Sequence, residues 1–393
     1  MLHEAMSGIR VIDMSRILAG PWCTQNLADM GAEVIKIEHP ERGDDTRGWG
    51  PPDHRAEDGS ASMAAYFMAC NRGKKSVRLD FSTPEGAAII RKLVLEADVF
   101  VENFKAGGLR KYGLDYESLR AINPRLVYLS VTGYGQTGPM ADKPGYDYVF
   151  QGMGGLMSYT GLPDGAAGAG PLRTGVAVVD LTTGMYATVS VVSALRQRDH
   201  TGLGMHLDIC LLDVAVALNA NQAANYLVSG DPPRRTGNAH PNCAPYEVFA
   251  CSDGHLILAI GNDGQFGRFC RLIGREQWAG DPRFATNSSR LRHMAELGPM
   301  IAALLKERPR AEWTGLFDAH GVPWGPIQNL EEVFSHPQVL HRKMIQTAHH
   351  PQLGVLRLVR NPLLAGSPDS ALADAPPVLG QHDDLLAVYQ EQA

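Results

Sequence analysis

Short apolar runs alternate with amphipathic stretches along the first third of the chain. Ile9-Arg10-Val11-Ile12-Asp13 reads as a strand, Pro21 to Met30 as a helix closed by Gly31, and Glu33-Val34-Ile35-Lys36-Ile37 as a second strand. Proline suits a first helical turn, where its missing N–H has no intrahelical partner, and glycine suits the residue after the last turn. Val77 to Leu79, Asp98 to Val101 and Leu126 to Val131 are further strand-like runs, with a helical stretch from Glu85 to Glu96 between the first two. Strands that alternate with helices predict an α/β fold on a parallel sheet covered on both faces. Val176-Ala177-Val178-Val179 reads as one more buried strand, ending at Asp180. A helix over 181–198 and a long apolar helix over 211–228 are expected to follow.

Between Gly135 and Gly170 the chain is glycine-rich, which predicts irregular loops of the kind that border a site. Ser229-Gly230-Asp231-Pro232-Pro233-Arg234-Arg235 marks a boundary. Beyond it, Tyr246 to Ile260, interrupted by Ser252-Asp253-Gly254, carries a hairpin pattern. Helical stretches over 265–273, 290–306 and 311–320 make this part a smaller α+β domain. After Gly321-Val322-Pro323 come turns, a strand-like Val355 to Val359 and a terminal helix from Asp383 to Gln390. The expected organisation is a large α/β domain over 1–228, a small α+β domain over 229–328, and a return segment over 329–393 that completes the large domain.

Composition narrows the function classes. The 393 residues are 44% hydrophobic and 20% charged, a balance that sustains a folded core. A net charge of −6 gives no general attraction to nucleic acid or anionic lipid, so any phosphate must be held locally. Cys23, Cys70, Cys210, Cys243, Cys251 and Cys270 form no C-x-x-C pair, which fits reduced thiols rather than a disulfide framework or zinc site. No apolar run approaches the roughly 20 residues of a membrane span, and Met1 to Met6 does not read as a leader. The expectation is a cytoplasmic protein without membrane or nucleic-acid partners.

The motifs exclude several chemistries. The first strand-to-helix turn, Ser15-Arg16-Ile17-Leu18-Ala19-Gly20, lacks the G-x-G-x-x-G of dinucleotide binding, and Glu38 reads as an ordinary strand-end residue. No G-x-S-x-G elbow or phosphate-binding G-x-x-x-x-G-K-[ST] loop occurs, and the fourteen histidines include no metal-ligand spacing. Arg72, Lys74, Lys75, Arg78, Lys105, Arg110 and Lys111 cluster near expected strand ends, where an open α/β sheet collects ligands. They form either a phosphate site or a solvated face. Asp180 also has two compatible readings. As a helix cap it would accept orphan N–H groups, and the same donors would keep an ionised carboxylate available as a nucleophile.

Several motifs occur in an order that resembles one family. Gly20-Pro21-Trp22-Cys23, Gly31-Ala32-Glu33-Val34-Ile35-Lys36-Ile37-Glu38, Gly43-Asp44-Asp45-Thr46-Arg47, Asn71-Arg72-Gly73-Lys74-Lys75-Ser76 and Val101-Glu102-Asn103-Phe104 are similar to segments of the family III CoA-transferases. The likeness continues through Gly133-Tyr134-Gly135, Asp180, Gly261-Asn262-Asp263-Gly264-Gln265-Phe266, Gly321-Val322-Pro323 and Leu379-Gly380-Gln381-His382.

The resemblance implies a Rossmann-like large domain made from both chain ends and holding a parallel sheet, a smaller domain, and an interlocked homodimer. It also implies Asp180 as the nucleophile, exchanging CoA between an acyl-CoA such as succinyl-CoA and a free carboxylic acid through aspartyl anhydride and aspartyl-CoA thioester intermediates. Coenzyme A would enter as acyl-CoA substrate, with no tightly bound cofactor and no metal. The family's CoA contacts fall on Arg16, Leu18, Ala19, His39, Leu79, Asn103, Phe104, Lys105 and Lys111. His39 stands in place of an arginine, and Leu18 in place of a glutamine, of formyl-CoA transferase. Substrate-loop positions fall on Tyr146, Gly237, Asn238 and His240, where a single glycine and Pro241 imply a stiffer loop.

Two alternatives follow from the same resemblance. α-Methylacyl-CoA racemases use a histidine and a glutamate as an acid/base pair, and Tyr146 and Asp263 stand at those positions here. A phenol with a pKa near ~10 is a poor base at neutral pH, which favours the transferase. The other alternative is an acyl-CoA binding protein without turnover, against which the intact Asp180 argues.

Overall fold

The computed structural model describes residues 2–364 and 374–390. The chain divides into two compact units. The first comprises Met1–Leu156, Arg173–Val228 and Phe334–Ala393, and the second Met157–Leu172 and Ser229–Val333.

The first unit holds a six-stranded sheet: β1 (Arg10–Asp13), β2 (Glu33–Glu38), β3 (Lys74–Arg78), β4 (Val99–Glu102), β5 (Val127–Thr132) and β6 (His206–Cys210). All neighbours are parallel, in the order β3-β2-β1-β4-β5-β6. Side chains alternate between the faces. Val11, Val34, Val99 and Val101 enter one core, while Ile12, Ile35, Ile37 and Phe100 enter the other. The order reverses between β1 and β4, so the loops leaving their carboxyl ends diverge and open a crevice there.

Helix α1 (Ala19–Asp29) is almost wholly buried on the first face, whereas α2 (Pro84–Leu95) covers the second. The Thr83 hydroxyl accepts the Gly86 N–H and starts α2, with Pro84 in its first turn. Two short helices, α3 (Asp147–Met153) and Leu156–Tyr159, form within the glycine-rich stretch expected to be irregular. Helix α4 (Val178–Thr201) lies against α1. A Cβ on Gly184 would come within 2.8 Å of the Ala19 carbonyl oxygen and 2.9 Å of Trp22, so only glycine permits this close approach.

The expected strand at Val176 to Val179 does not form, because α4 begins at Val178 and absorbs half of it. A run of four apolar residues is too short to separate strand from helix by period alone. The sixth strand is instead His206–Cys210, a half-exposed edge strand without a continuous apolar run. The expected helix over 211–228 is two helices, α5 (Leu211–Leu218) and α6 (Ala220–Ser229), broken where Ala220 takes φ +39°. Helix α4 is also long and apolar enough to cross a membrane, unlike the expectation, although Val179, Ala187, Val191 and Leu195 are buried in the first unit's core.

In the second unit, β7 (Tyr246–Ala250) and β8 (His255–Ala259) form the expected hairpin, and β9 (Trp324–Pro326) adds an antiparallel strand within a stretch read as turns. Helices Asp263–Leu272, Met294–Leu305 and Arg310–His320 pack on it around Phe249, Leu256, Phe266, Phe269 and Phe317. Strand Gly354–Val359 of the first unit pairs with Ile345–His350.

Candidate active site

The crevice at the sheet's switch point contains a cavity of about 510 Å³. Arg16, Leu18 and Ala19 line it from the loop after β1, and Asn103, Phe104 and Lys105 from the loop after β4. Tyr146 and Asp180 complete the wall from the amino ends of α3 and α4. Eight positions singled out from the sequence thus share one space. A second cavity, of about 330 Å³, is also lined by Arg16 and Phe104, and adds His39, Arg42 and Ser82.

Three predicted positions of the first unit lie elsewhere or face outward. Leu79 is buried in the core. Lys111 is exposed, its ammonium 4.7 Å over the Tyr112 ring. Tyr146 reaches the cavity wall but is 62% exposed. Gly237, Asn238 and His240 belong to the second unit. There the Gly237 N–H donates to the Gly161 carbonyl at 3.0 Å, Asn238 is exposed, and the His240 ring lies 5.1 Å from Tyr246.

Asp180 is the third residue of α4, and the residue before the helix is Ala177, so Asp180 is not the cap expected at a strand end. The capping carboxylate is Asp147. Its Oδ1 accepts the N–H groups of Val179 at 2.8 Å and Asp180 at 3.2 Å, while Oδ2 accepts Gln151 Nε2–H at 2.6 Å. Gln151 Oε1 in turn accepts the Thr174 N–H at 2.9 Å, fixing the approach to α4. Burial, and then the negative charge of Asp147, push the Asp180 carboxyl up to about 7, and among the described residues no ion pair offsets them.

Three further residues bear on this space and were given no role from the sequence. Asp147 directly follows Tyr146 along the chain. Tyr66 lies near enough to the carboxylate for its phenol to be pushed up to about 12 by burial and then by Asp180, and its ring meets Trp49 edge-on at 5.0 Å. Glu102, buried at the end of β4, accepts the Phe104 N–H at 2.7 Å and so shapes the cavity's second loop. Burial pushes Glu102 up to about 7 despite hydrogen bonds from Ser130 and Phe104. Nothing in the local sequence distinguishes Tyr66, because only the fold carries it to Asp180.

In the second unit Asp263 starts a helix capped by Asn262, and its Oδ1 is tied to the Arg290 guanidinium at 2.8 Å. That carboxylate is held as an ion pair. A larger recess of about 680 Å³ opens among Trp22, Met68, Met185 and Val359, but it is mainly apolar.

A carboxylate in no ion pair among the described residues, set in a crevice with Arg16 and Lys105 on the opposite loops, is suited to nucleophilic attack on a polarised carbonyl. Comparison with known proteins narrows the reaction class. The chain is 50% identical over 377 residues to succinate–glutarate CoA-transferase of Agrobacterium fabrum, covering 96% of this chain and 93% of that one. It is 41% identical to succinyl-CoA:glutarate CoA-transferase of Mus musculus, over 96% and 85% of the two chains. Among solved structures, a CAIB/BAIF family protein from Brucella suis superposes with a TM-score of 0.85 at 47% identity, over 98% of this chain and 99% of that one. The model of CoA-transferase family III matches residues 6–383. The chain belongs to CoA-transferase family III, and it is an enzyme of that class.

Proposed function

We propose that this enzyme moves CoA from succinyl-CoA to a small dicarboxylate such as glutarate, with Asp180 as the covalent nucleophile. The observation that carries the reading is the uncompensated Asp180 carboxyl in the switch-point cavity, opposite Arg16, Asn103 and Lys105. The substrate pair comes from the names of relatives at 50% and 41% identity.

The reaction balances without an external proton. Asp180 attacks the thioester carbonyl, the C–S bond breaks, and CoA thiolate leaves an acyl–aspartyl anhydride. The thiolate then attacks the Asp180 carbonyl carbon, releasing succinate and leaving an aspartyl-CoA thioester. The acceptor carboxylate displaces the thiolate to form a second anhydride. Thiolate attack on the acceptor's carbonyl releases the new acyl-CoA and restores Asp180. Covalent catalysis divides one difficult exchange into easier steps. Arg16 and Phe104, shared by the two cavities, suit an extended substrate, with its nucleotide towards His39 and Arg42 and its thioester at Asp180.

Isotope transfer tests the reading. Glutarate labelled with ¹⁸O on its carboxylates should leave one labelled oxygen on Asp180 per turnover and then pass it to succinate released in the next. Exchange of CoA without label in either place overturns the covalent role. Racemisation has less support, because Tyr146 is a phenol and Asp263 is paired with Arg290. Deuterium incorporation into a 2-methylacyl-CoA in D₂O, without thioester exchange, would reinstate it. An acyl-CoA binding protein without turnover would give neither label transfer nor exchange.

The proposal includes a large domain over 1–228 and 329–393, a small domain over 229–328, a cytoplasmic location, and two interlocked chains. The exposed apolar side chains of Val189, Leu227 and Val228 support a covered face. Sedimentation should give a dimer that persists on dilution, and an active monomer would refute it.

A further inference from the structure

The loop from Ser15 to Ile17 is held by side chains alone. The Ser15 N–H donates to Asp13 Oδ1 at 2.9 Å, and the Ser15 carbonyl accepts from Lys36 Nζ at 2.8 Å. The Arg16 N–H donates to Asn103 Oδ1 at 2.9 Å, while Asn103 Nδ2 donates back to the Arg16 carbonyl at 2.7 Å. The Ile17 N–H lies 3.3 Å from both carboxylate oxygens of Asp44, and the Ile17 carbonyl accepts from Cys70 Sγ at 3.5 Å. All six backbone polar groups are thus satisfied by side chains outside the three residues.

Ile17 itself has φ +73°. A β-branched side chain in the left-handed region is a strained arrangement, retained only where the surroundings enforce it. Asp44 is buried and anchored by Lys36 Nζ at 2.9 Å and by the Thr46 N–H and hydroxyl. Asn103 directs both ends of its amide at the Arg16 backbone, a task separate from the ligand contact that the family pattern implies. The enforced turn sets how Arg16, Leu18 and Ala19 meet the cavity.

We propose that Asn103 and Asp44 are positioning residues for acyl-CoA, holding Ile17 in its left-handed conformation so that the Arg16–Ala19 edge keeps a fixed contour. The inference rests on the acyl-CoA reading above. It distinguishes a clamp from a direct contact, because a clamp becomes dispensable when the clamped residue no longer resists its conformation.

Glycine adopts positive φ without strain, so Ile17→Gly supplies the test. Asn103→Ala should raise KM for succinyl-CoA about tenfold while kcat stays within about threefold. Adding Ile17→Gly to Asn103→Ala should return KM to within about threefold of the Ile17→Gly single variant. Asp44→Asn should raise KM in the same direction. If it fails to fold, the Asn103 and Ile17 pair decides alone. A KM that rises in Asn103→Ala and stays high in the double variant means direct contact and overturns the clamp, as does an Asn103→Ala enzyme with unchanged KM. Calorimetric titration of each variant with free CoA reads the same contour without turnover. A wild type that binds CoA but transfers nothing would therefore refute the proposed function while the clamp is still judged by affinity.

Discussion

Two aspartates in the first unit occupy opposite electrostatic worlds. Asp13, at the end of β1, is wholly buried with Lys74 Nζ at 3.1 Å, the Ser15 hydroxyl at 2.5 Å and the Thr24 hydroxyl at 2.6 Å. Burial alone would raise its carboxyl, but Lys74 and then Lys36 outweigh that and hold it down to about 2. Asp180 has burial and a second carboxylate but, among the described residues, no ion pair, and is pushed up to about 7. A carboxylate whose charge is fully compensated is a structural brace. One whose charge is left uncompensated has reactivity to spend on a substrate.

The sharpest way to break this comparison is to remove each carboxylate. Asp180→Asn should lower transfer by about a thousandfold or more while the protein remains folded, since an amide is a poor nucleophile. Steady-state rates beside circular dichroism check both halves. If Asp180→Asn retains transfer, Asp180 is only part of a helix terminus. Asp13→Asn should do the reverse. Leaving Lys74 buried without its partner should cost about 3–5 kcal/mol of stability, read by urea denaturation.

The same contrast reverses the sign of a stability effect. The Asp180 carboxyl lies at about 7 in the fold against an ordinary 3.8, so the folded state holds its proton longer. Stability therefore falls as pH rises from about 4 to about 7, and the cost is complete above that range. Asp180→Asn removes it and should stabilise the protein at pH 8 by about 1–3 kcal/mol, net of the weaker interaction with the α4 dipole. For Asp13, held down to about 2, the sign is opposite: its contribution is present above about pH 4 and is lost as pH falls towards 2.

The smallest effect concerns the carboxylate beside Asp180. If Asp180 must be ionised, kcat/KM should fall about tenfold per pH unit below about 7. Asp147→Asn removes the neighbouring charge and should move that limb about one unit or less towards acid. It also sets an amide N–H against Gln151 Nε2, so some loss of kcat should accompany the shift. A pH–rate profile that leaves the limb in place would mean that burial alone sets the Asp180 carboxyl.

Much of the architecture was legible from local pattern. β1, β2, β4 and β5 are short apolar runs, α1 carries its punctuation in Pro21 and Gly31, and the β7–β8 turn is written in Ser252-Asp253-Gly254. The edge strand β6 was not, because its half-exposed His206 and exposed Asp208 dilute the apolar signal. β9 was missed because three residues through a proline carry no period.

The amino-acid sequence by itself determined the alternation of strands and helices and the family resemblance, and it singled out Asp180 as a candidate, because periodicity and motifs are properties of neighbours along the chain. Only the tertiary structure decided that Asp147 caps the helix bearing Asp180, that Tyr66 senses that carboxylate, and that Asn103 grips Arg16 from 87 residues away. Hydrophobic burial is non-directional and is recorded locally as a pattern, whereas a hydrogen bond or an ion pair needs atoms placed within a few tenths of an ångström by the whole fold.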